Sequence, residues 1–171
     1  TYSFPRGAKA REVIKAMVDG LHRVWSAELQ EQATRMKLSL HQVLTLASVI
    51  EKETGSKEER ELIAAVFHNR LRKKIPLQSD PTVIYGLGAR FDGNLRKRDL
   101  QADTPYNTYT RAGLPPTPIA MPGKASLEAA VRPEATKALY FVARGDGSSE
   151  FSETLPAHNR AVNQYQRGIA P

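Results

Sequence analysis

Residues 46–56 read LASVIEKETGS, and within them Glu51 follows directly on a helix-like apolar run. A carboxylate is costly to place there unless it has a partner or a task. If residues 39–54 form a helix, each step turns by about 100°, which sets Glu51 beside Leu40, Leu44 and Ala47 at the edge of the apolar arc. Lys52 falls on the polar face, and Glu53 falls at the other rim, between Leu46 and Val49. Two readings follow for Glu51. It is a structural partner, pairing with an arginine or capping a neighbouring backbone. Or it is a carboxyl kept partly from water, whose raised pKa lets it hold a proton at neutral pH and donate it as a general acid. Helix geometry alone leaves both open.

Other chemistries find little support. The four histidines, His22, His41, His68 and His158, fall in no metal-ligand spacing. The absence of cysteine excludes a disulfide framework, a thiolate nucleophile and a thiolate metal site. No phosphate-cradling GxxxxGK[ST] or GxGxxG occurs, and GDGSS lacks the strand–turn–helix setting of a nucleophile elbow. Asp80 is the natural second carboxylate, but the proline that follows it marks it as a helix N-cap. Asp92, Asp99 and Asp103 lie in an irregular stretch without a motif. The chemistry therefore centres on one carboxylate and a polar, aromatic cleft. Most glycosidases use two carboxylates; one suffices where the substrate supplies its own nucleophile.

The elements that must position such a site are legible in outline. Apolar residues from Val13 to Leu29 recur at helical steps, which predicts one long amphipathic helix over residues 8–35. Ser39 and Gly55 bound the second helix. Ser56 and Glu59 form a capping box for a third, ending near Lys74. A short helix is expected over 81–87, with Tyr85 a candidate core residue. Residues 88–123 are rich in Gly, Pro, Asn and Thr, and Pro115, Pro116, Pro118 and Pro122 forbid regular structure at their end. So long an irregular segment suggests a shaped loop lining a cleft. A short helix over ASLEAAVRP, a β-hairpin around the GDGS turn and a last helix over LPAHNRAVNQYQRG complete the chain. The RGD within that hairpin is a turn sequence.

Length and composition fit one ordinary domain: 171 residues, 40% hydrophobic. The net charge of +7 suits an anionic partner. The basic runs RLRKK and RKR read as solvated helix ends or loops. No aromatic residues interleave with them, so nucleic acid is not expected as a partner. No apolar run approaches the ~18 residues of a spanning helix, and no signal peptide opens the chain.

The segments LASVIEKET, VFHNRL, LQSDPTVIYG, YNTY, GLPPTPIAMPG, LYFVA and the HN of the last helix occur in order over about residues 44–165. Together they resemble the catalytic domain of the endolytic murein transglycosylases, the MltG or YceG-like family. The resemblance implies an α+β fold, mainly α and lysozyme-like, with a small β-hairpin element and a long Pro/Gly-rich loop. It implies that residues 39–171 are the catalytic transglycosylase domain and that residues 1–38 lead into it from a preceding region. In the family that region carries a spanning helix and a LysM-like subdomain, and the whole protein sits on the periplasmic face of the bacterial inner membrane.

The family's catalytic glutamate is the first of EKET, which is Glu51 here, with Glu53 the next candidate. The expected reaction is cleavage of the MurNAc–GlcNAc β-1,4 bond in nascent peptidoglycan, ending in 1,6-anhydroMurNAc. Tyr106, Asn107 and Tyr109 are expected to line the groove, with Gln78, Ser79 and Asp80 as further substrate contacts. The YNTY segment and the Pro-rich stretch should form one wall of the cleft that Glu51 faces. Peptidoglycan strands, and peptidoglycan synthases at the membrane, are the partners implied; no metal or organic cofactor is. Two other readings stand beside this one. One is a non-enzymatic glycan- or nucleic-acid-binding module. The other is a pyridoxal-phosphate lyase, a label that relatives have carried, which would need Lys52 to turn inward and a phosphate cup that the chain lacks.

Overall fold

In the computed structural model, which describes residues 2–168, eight α-helices and one two-stranded sheet follow in order. They are α1 (Ala10–Val24), α2 (Ala27–Arg35), α3 (Leu40–Glu53), α4 (Arg60–Arg72), α5 (Asp80–Leu87), α6 (Lys97–Gln101), α7 (Lys124–Val131), β1 (Tyr140–Ala143), β2 (Ser149–Ser152) and α8 (Leu155–Gln166). The fold is mainly α with a small β element, as the sequence implies. Residue 1 and residues 169–171, at the ends of the two segments expected from the sequence, lie outside the described residues.

The centre of the core is α3. Its Val43, Leu46, Ala47, Val49 and Ile50 are fully buried, and it packs chiefly on α7 through Leu127, Ala129, Ala130 and Val131. Alanines on both helices let the backbones approach closely, and α4 completes the layer with Ile63, Ala64 and Phe67. Ser39 caps α3 as expected: its Oγ accepts from the Gln42 amide at 3.2 Å, and the Gln42 side chain returns a bond to the Ser39 amide at 2.8 Å.

The single helix expected over residues 8–35 is two. The chain breaks at Trp25 and Ser26, and Ser26 Oγ accepts from the Leu29 amide to start α2. The physical reason is a change of burial. Leu29 and Ala33 of α2 reach the core, whereas no residue of α1 is fully buried and Ile14 and Val18 stay exposed. The Ser56–Glu59 capping box does not form. A 3-10 turn over Lys57–Glu59 precedes α4, Ser56 bonds Glu58, and Glu59 instead accepts the Ser149 amide at 2.7 Å, tying this turn to the hairpin.

The stretch over 88–123 is less irregular than its composition suggests. It contains a 3-10 turn, Gly88–Arg90, and the five-residue α6, while its proline-rich end lies against α3. There the Ile119 amide donates to Ser48 Oγ at 2.9 Å, and His41 Nε2 meets the Pro116 carbonyl at 2.9 Å.

In the hairpin, β1 and β2 pair antiparallel with Phe141 opposite Phe151. Phe141 also meets Phe67 edge to face at 6.2 Å. The turn uses Gly145 and Gly147, both at φ +92°, where a side chain would be strained. The hairpin rests on α8 and α4 and so stands beside the C-terminal end of α3.

Candidate active site

Positions 51 and 53 lie about 200° apart on α3, so the two glutamates face different surroundings. Glu51 faces the N-terminus of α7. Its Oε2 accepts the Ser126 hydroxyl at 2.5 Å and the Gly123 amide at 3.1 Å. Gly123 is the N-cap of α7 and Ser126 lies in its first turn, so the carboxylate of α3 caps the next core helix. These donors favour the charged form: the Ser126 bond first, then the Gly123 amide and the charges of Arg60 and Lys52, outweigh partial desolvation and hold the Glu51 pKa below the ordinary carboxylate range. The reading from helix geometry pairs an acid role with a raised pKa, and the contacts of Glu51 shift it the other way. These contacts are those of the capping reading; the resemblance assigns the acid to this same residue.

Glu53 continues the stripe of Leu46, Val49 and Ile50 to the point where the core opens into a cavity of about 740 Å³. Around it stand Gln78 and Asp80, Arg70 of α4, Tyr109, Tyr140 and Phe141 of the hairpin, and His158 of α8. Burial pushes the Glu53 pKa up, and the neighbouring Asp80 charge adds to the rise. Ser79 Oγ, donating to Glu53 Oε1 at 2.6 Å, opposes it only in part. A carboxyl in this setting holds its proton more tightly than a free one.

Asp80 is not the expected N-cap. Ser79 occupies that position, Asp80 is the first residue of α5, and its Oδ1 accepts the Tyr109 hydroxyl at 2.6 Å. The carboxylate is exposed and faces the same cavity as Glu53. Gln78 is exposed too, and its backbone is held at φ +54°, a strained setting for a non-glycine residue. Two contacts fix it: its amide donates to the Thr108 carbonyl at 2.9 Å, and its Oε1 accepts from Arg70 at 3.0 Å.

The expected aromatic wall divides. Tyr109 lines the cavity. Tyr106 packs its ring against Tyr85, centroids 4.9 Å apart, and its hydroxyl meets Thr117 at 2.8 Å. Tyr85, a candidate core residue, is instead exposed. Asn107, expected as a sugar contact, is 1% exposed. Its Nδ2 is shared among the carbonyls of Asp99, Leu100 and Ala102, and its Oδ1 accepts the Tyr109 amide at 2.8 Å. Buried and held by these bonds, the amide does not reach a ligand; it clasps the loop that presents Tyr109. The proline-rich stretch ends on Glu51 through Gly123, while Tyr109 stands with Glu53, so the two halves of the expected wall serve different carboxylates. Lys52 is exposed.

Sequence reasoning missed Arg70, Tyr140 and His158. Arg70 sits inside the basic run RLRKK yet is buried, because it falls three residues after Phe67 on the inward stripe of α4. That spacing was the available signal. No helix of the described residues is long and apolar enough to cross a membrane.

Comparison with known proteins places this geometry. The model of the YceG-like family matches residues 1–164. A protein of Bacillus subtilis (strain 168) named endolytic murein transglycosylase is 46% identical over 154 residues, which cover 90% of this chain and 42% of that protein. A Streptococcus pneumoniae (serotype 2, strain D39) protein of the same name is 31% identical over 96% of this chain and 32% of its own length. The chain thus spans less than half the length of these relatives. A crystal structure of a YceG-like protein from Listeria monocytogenes, 43% identical, superposes with a TM-score of 0.81 over 92% of this chain and 51% of that one.

Proposed function

This chain belongs to the YceG-like family, and on that premise we propose that it is the cleaving domain of an endolytic murein transglycosylase, with Glu53 as its proton donor. The observation that carries the assignment is a carboxyl with raised proton affinity facing a cavity walled by aromatic rings and polar groups. Such walls suit sugar rings and their N-acetyl groups. Glu53 gives its proton to the glycosidic oxygen between MurNAc and GlcNAc as that bond breaks. Positive charge develops at C1 of MurNAc, where the substrate's own N-acetyl group can share it. The carboxylate left on Glu53 then takes the proton of the C6 hydroxyl as its oxygen bonds to C1. One carboxyl serves both steps, and the product ends in 1,6-anhydroMurNAc. In this account Glu51 orients α7 and takes no part in proton transfer.

The neighbours have definite parts. Burial, with the charge of Asp80 adding to it, raises the proton affinity of Glu53; Asp80 also faces the developing cation, and Tyr109 fixes the Asp80 carboxylate. Gln78 is the exposed amide available to an N-acetyl group. We place the whole protein on the outer face of the bacterial inner membrane, acting on nascent peptidoglycan beside its synthases. Incubation with purified sacculi tests the reading: internal cuts support it, and intact strands after long incubation overturn it.

One variant reports on the proton itself. Ser79→Ala removes the bond that favours ionised Glu53. Activity that needs protonated Glu53 falls as pH rises through its pKa, so in this variant the alkaline limb of the pH–rate profile moves to higher pH. A limb that stays in place or moves down contradicts the assignment.

A second reading has one observation behind it. The exposed Asp80 carboxylate could activate a water molecule, which would make the enzyme a hydrolase. The product separates the two.

A further inference from the structure

The proposed cleavage makes no use of the one charge buried in the cavity. Arg70 is only 7% exposed. Its Nε donates to the Leu139 carbonyl at 2.6 Å, and its Nη1 to the carbonyls of Pro76 and Leu77 and to Gln78 Oε1, each at 3.0 Å. Its guanidinium lies 5.0 Å from the centre of the Tyr140 ring. Among the described residues no carboxylate lies within ion-pair distance of it, and Nη2 has no protein acceptor. A buried cation without a counter-ion is expensive. Proteins keep few of them, and carbonyl dipoles answer only two of its three nitrogens here.

A second orphan stands next to it. The His158 ring stacks on Tyr140, centroids 5.2 Å apart, and its buried Nδ1 has no partner among the described residues. Arg70, Tyr140 and His158 all line the cavity that Glu53 faces. The open edge of the Arg70 guanidinium, in the same cavity wall as the His158 ring, is the kind of donor that receives a carboxylate.

We propose that the Arg70–His158 end of the cavity is a carboxylate subsite, holding an anionic group that the glycan carries beside the bond to be cut. It rests on the proposed function. Two sources share this chemistry: the lactyl carboxylate of a muramic residue that has lost its peptide, and the carboxylates of an attached stem peptide. The carboxylate supplies the counter-ion that Arg70 lacks and registers the strand so that one particular linkage stands over Glu53.

The test compares the unaltered chain on four glycan oligomers. Two are peptide-free, as the free acid and as the methyl ester; two carry stem peptides, with carboxylates free or amidated. Neutralising the recognised group should raise KM about tenfold with little change in kcat. Sensitivity in the first pair alone identifies the lactyl group, and sensitivity in the second alone identifies the peptide. Equal KM for all four overturns the proposal. Arg70 variants lose bonds to three carbonyls and can fail to fold, so His158→Phe, which keeps a ring on Tyr140, serves as the partner variant. It should shrink the preference for the free carboxylate severalfold, and a full preference removes His158 from the subsite. If no oligomer is cleaved, the proposed function is at fault, and calorimetry still decides the subsite: N-acetylmuramic acid should bind at least tenfold tighter than its methyl ester, or a muramyl peptide at least tenfold tighter than its amidated form, and equal binding within both pairs overturns it.

Discussion

Glu53→Gln should lower cleavage of peptidoglycan by about 10²- to 10⁴-fold, the usual contribution of a positioned general acid, while Glu51→Gln should stay within about tenfold of the unaltered chain. Gln cannot supply the proton but keeps the shape of Glu, so the Ser79 hydroxyl can still find an acceptor at position 53. The fold should not suffer. The Glu53 pKa is raised on folding, so its ionisation costs stability as pH rises from the unfolded-state pKa through the folded one. Gln escapes that cost. The variant should melt no lower than the parent at neutral pH, and its relative advantage should grow as pH rises from the unfolded-state pKa of the carboxyl to the folded-state one. At position 51 the sign is reversed: a lowered pKa stabilises the fold above the unfolded pKa and loses that contribution in acid. A dead Glu51→Gln beside an active Glu53→Gln would return the proton donor to Glu51, where the family resemblance puts it.

Asn107→Ala should be the most destabilising change in the loop that carries Tyr109. It strands three carbonyls and the Tyr109 amide at a site that is 1% exposed. Unsatisfied buried groups put the loss on the order of 3 kcal/mol, a large part of the stability of an ordinary domain. At this chain length that lowers Tm by about 10 °C. Activity at low temperature should also fall, because Tyr109 loses the support that aims its hydroxyl at Asp80. A variant with unchanged Tm would mean that the amide is not the clasp of this loop.

The contrast between these residues shows what a sequence carries. The extent and capping of α3, the hairpin and the proline-rich loop were legible, because periodicity, Ser39 and the Gly and Pro positions act locally. The break at Ser26 was not, since α1 and α2 share one continuous periodicity and differ only in what covers them. Glu51 and Glu53 both lie at rims of the apolar arc of one helix. What separates them is remote in sequence: Gly123 and Ser126 on one side, Ser79 and Asp80 on the other. Asp80 before proline has the form of a cap, yet the tyrosine that claims it is twenty-nine residues away. Asn107 among tyrosines looks like a ligand contact, and only the carbonyls of α6 and its surroundings reveal it as a clasp.

Asp80 also makes the product the most exposed part of the account. An inverting or retaining hydrolase needs a second carboxylate, and Asp80 is available for that part. The C6 hydroxyl of MurNAc, however, is tethered to the reacting ring, and its effective concentration exceeds that of water in the site. Mass spectrometry of the strand ends left by internal cuts of purified sacculi decides between them. The account predicts 1,6-anhydroMurNAc ends, lighter by one water than their hydrolysed counterparts, and their loss in Glu53→Gln. A clear excess of reducing MurNAc ends would contradict it and make Asp80 the base of a hydrolase.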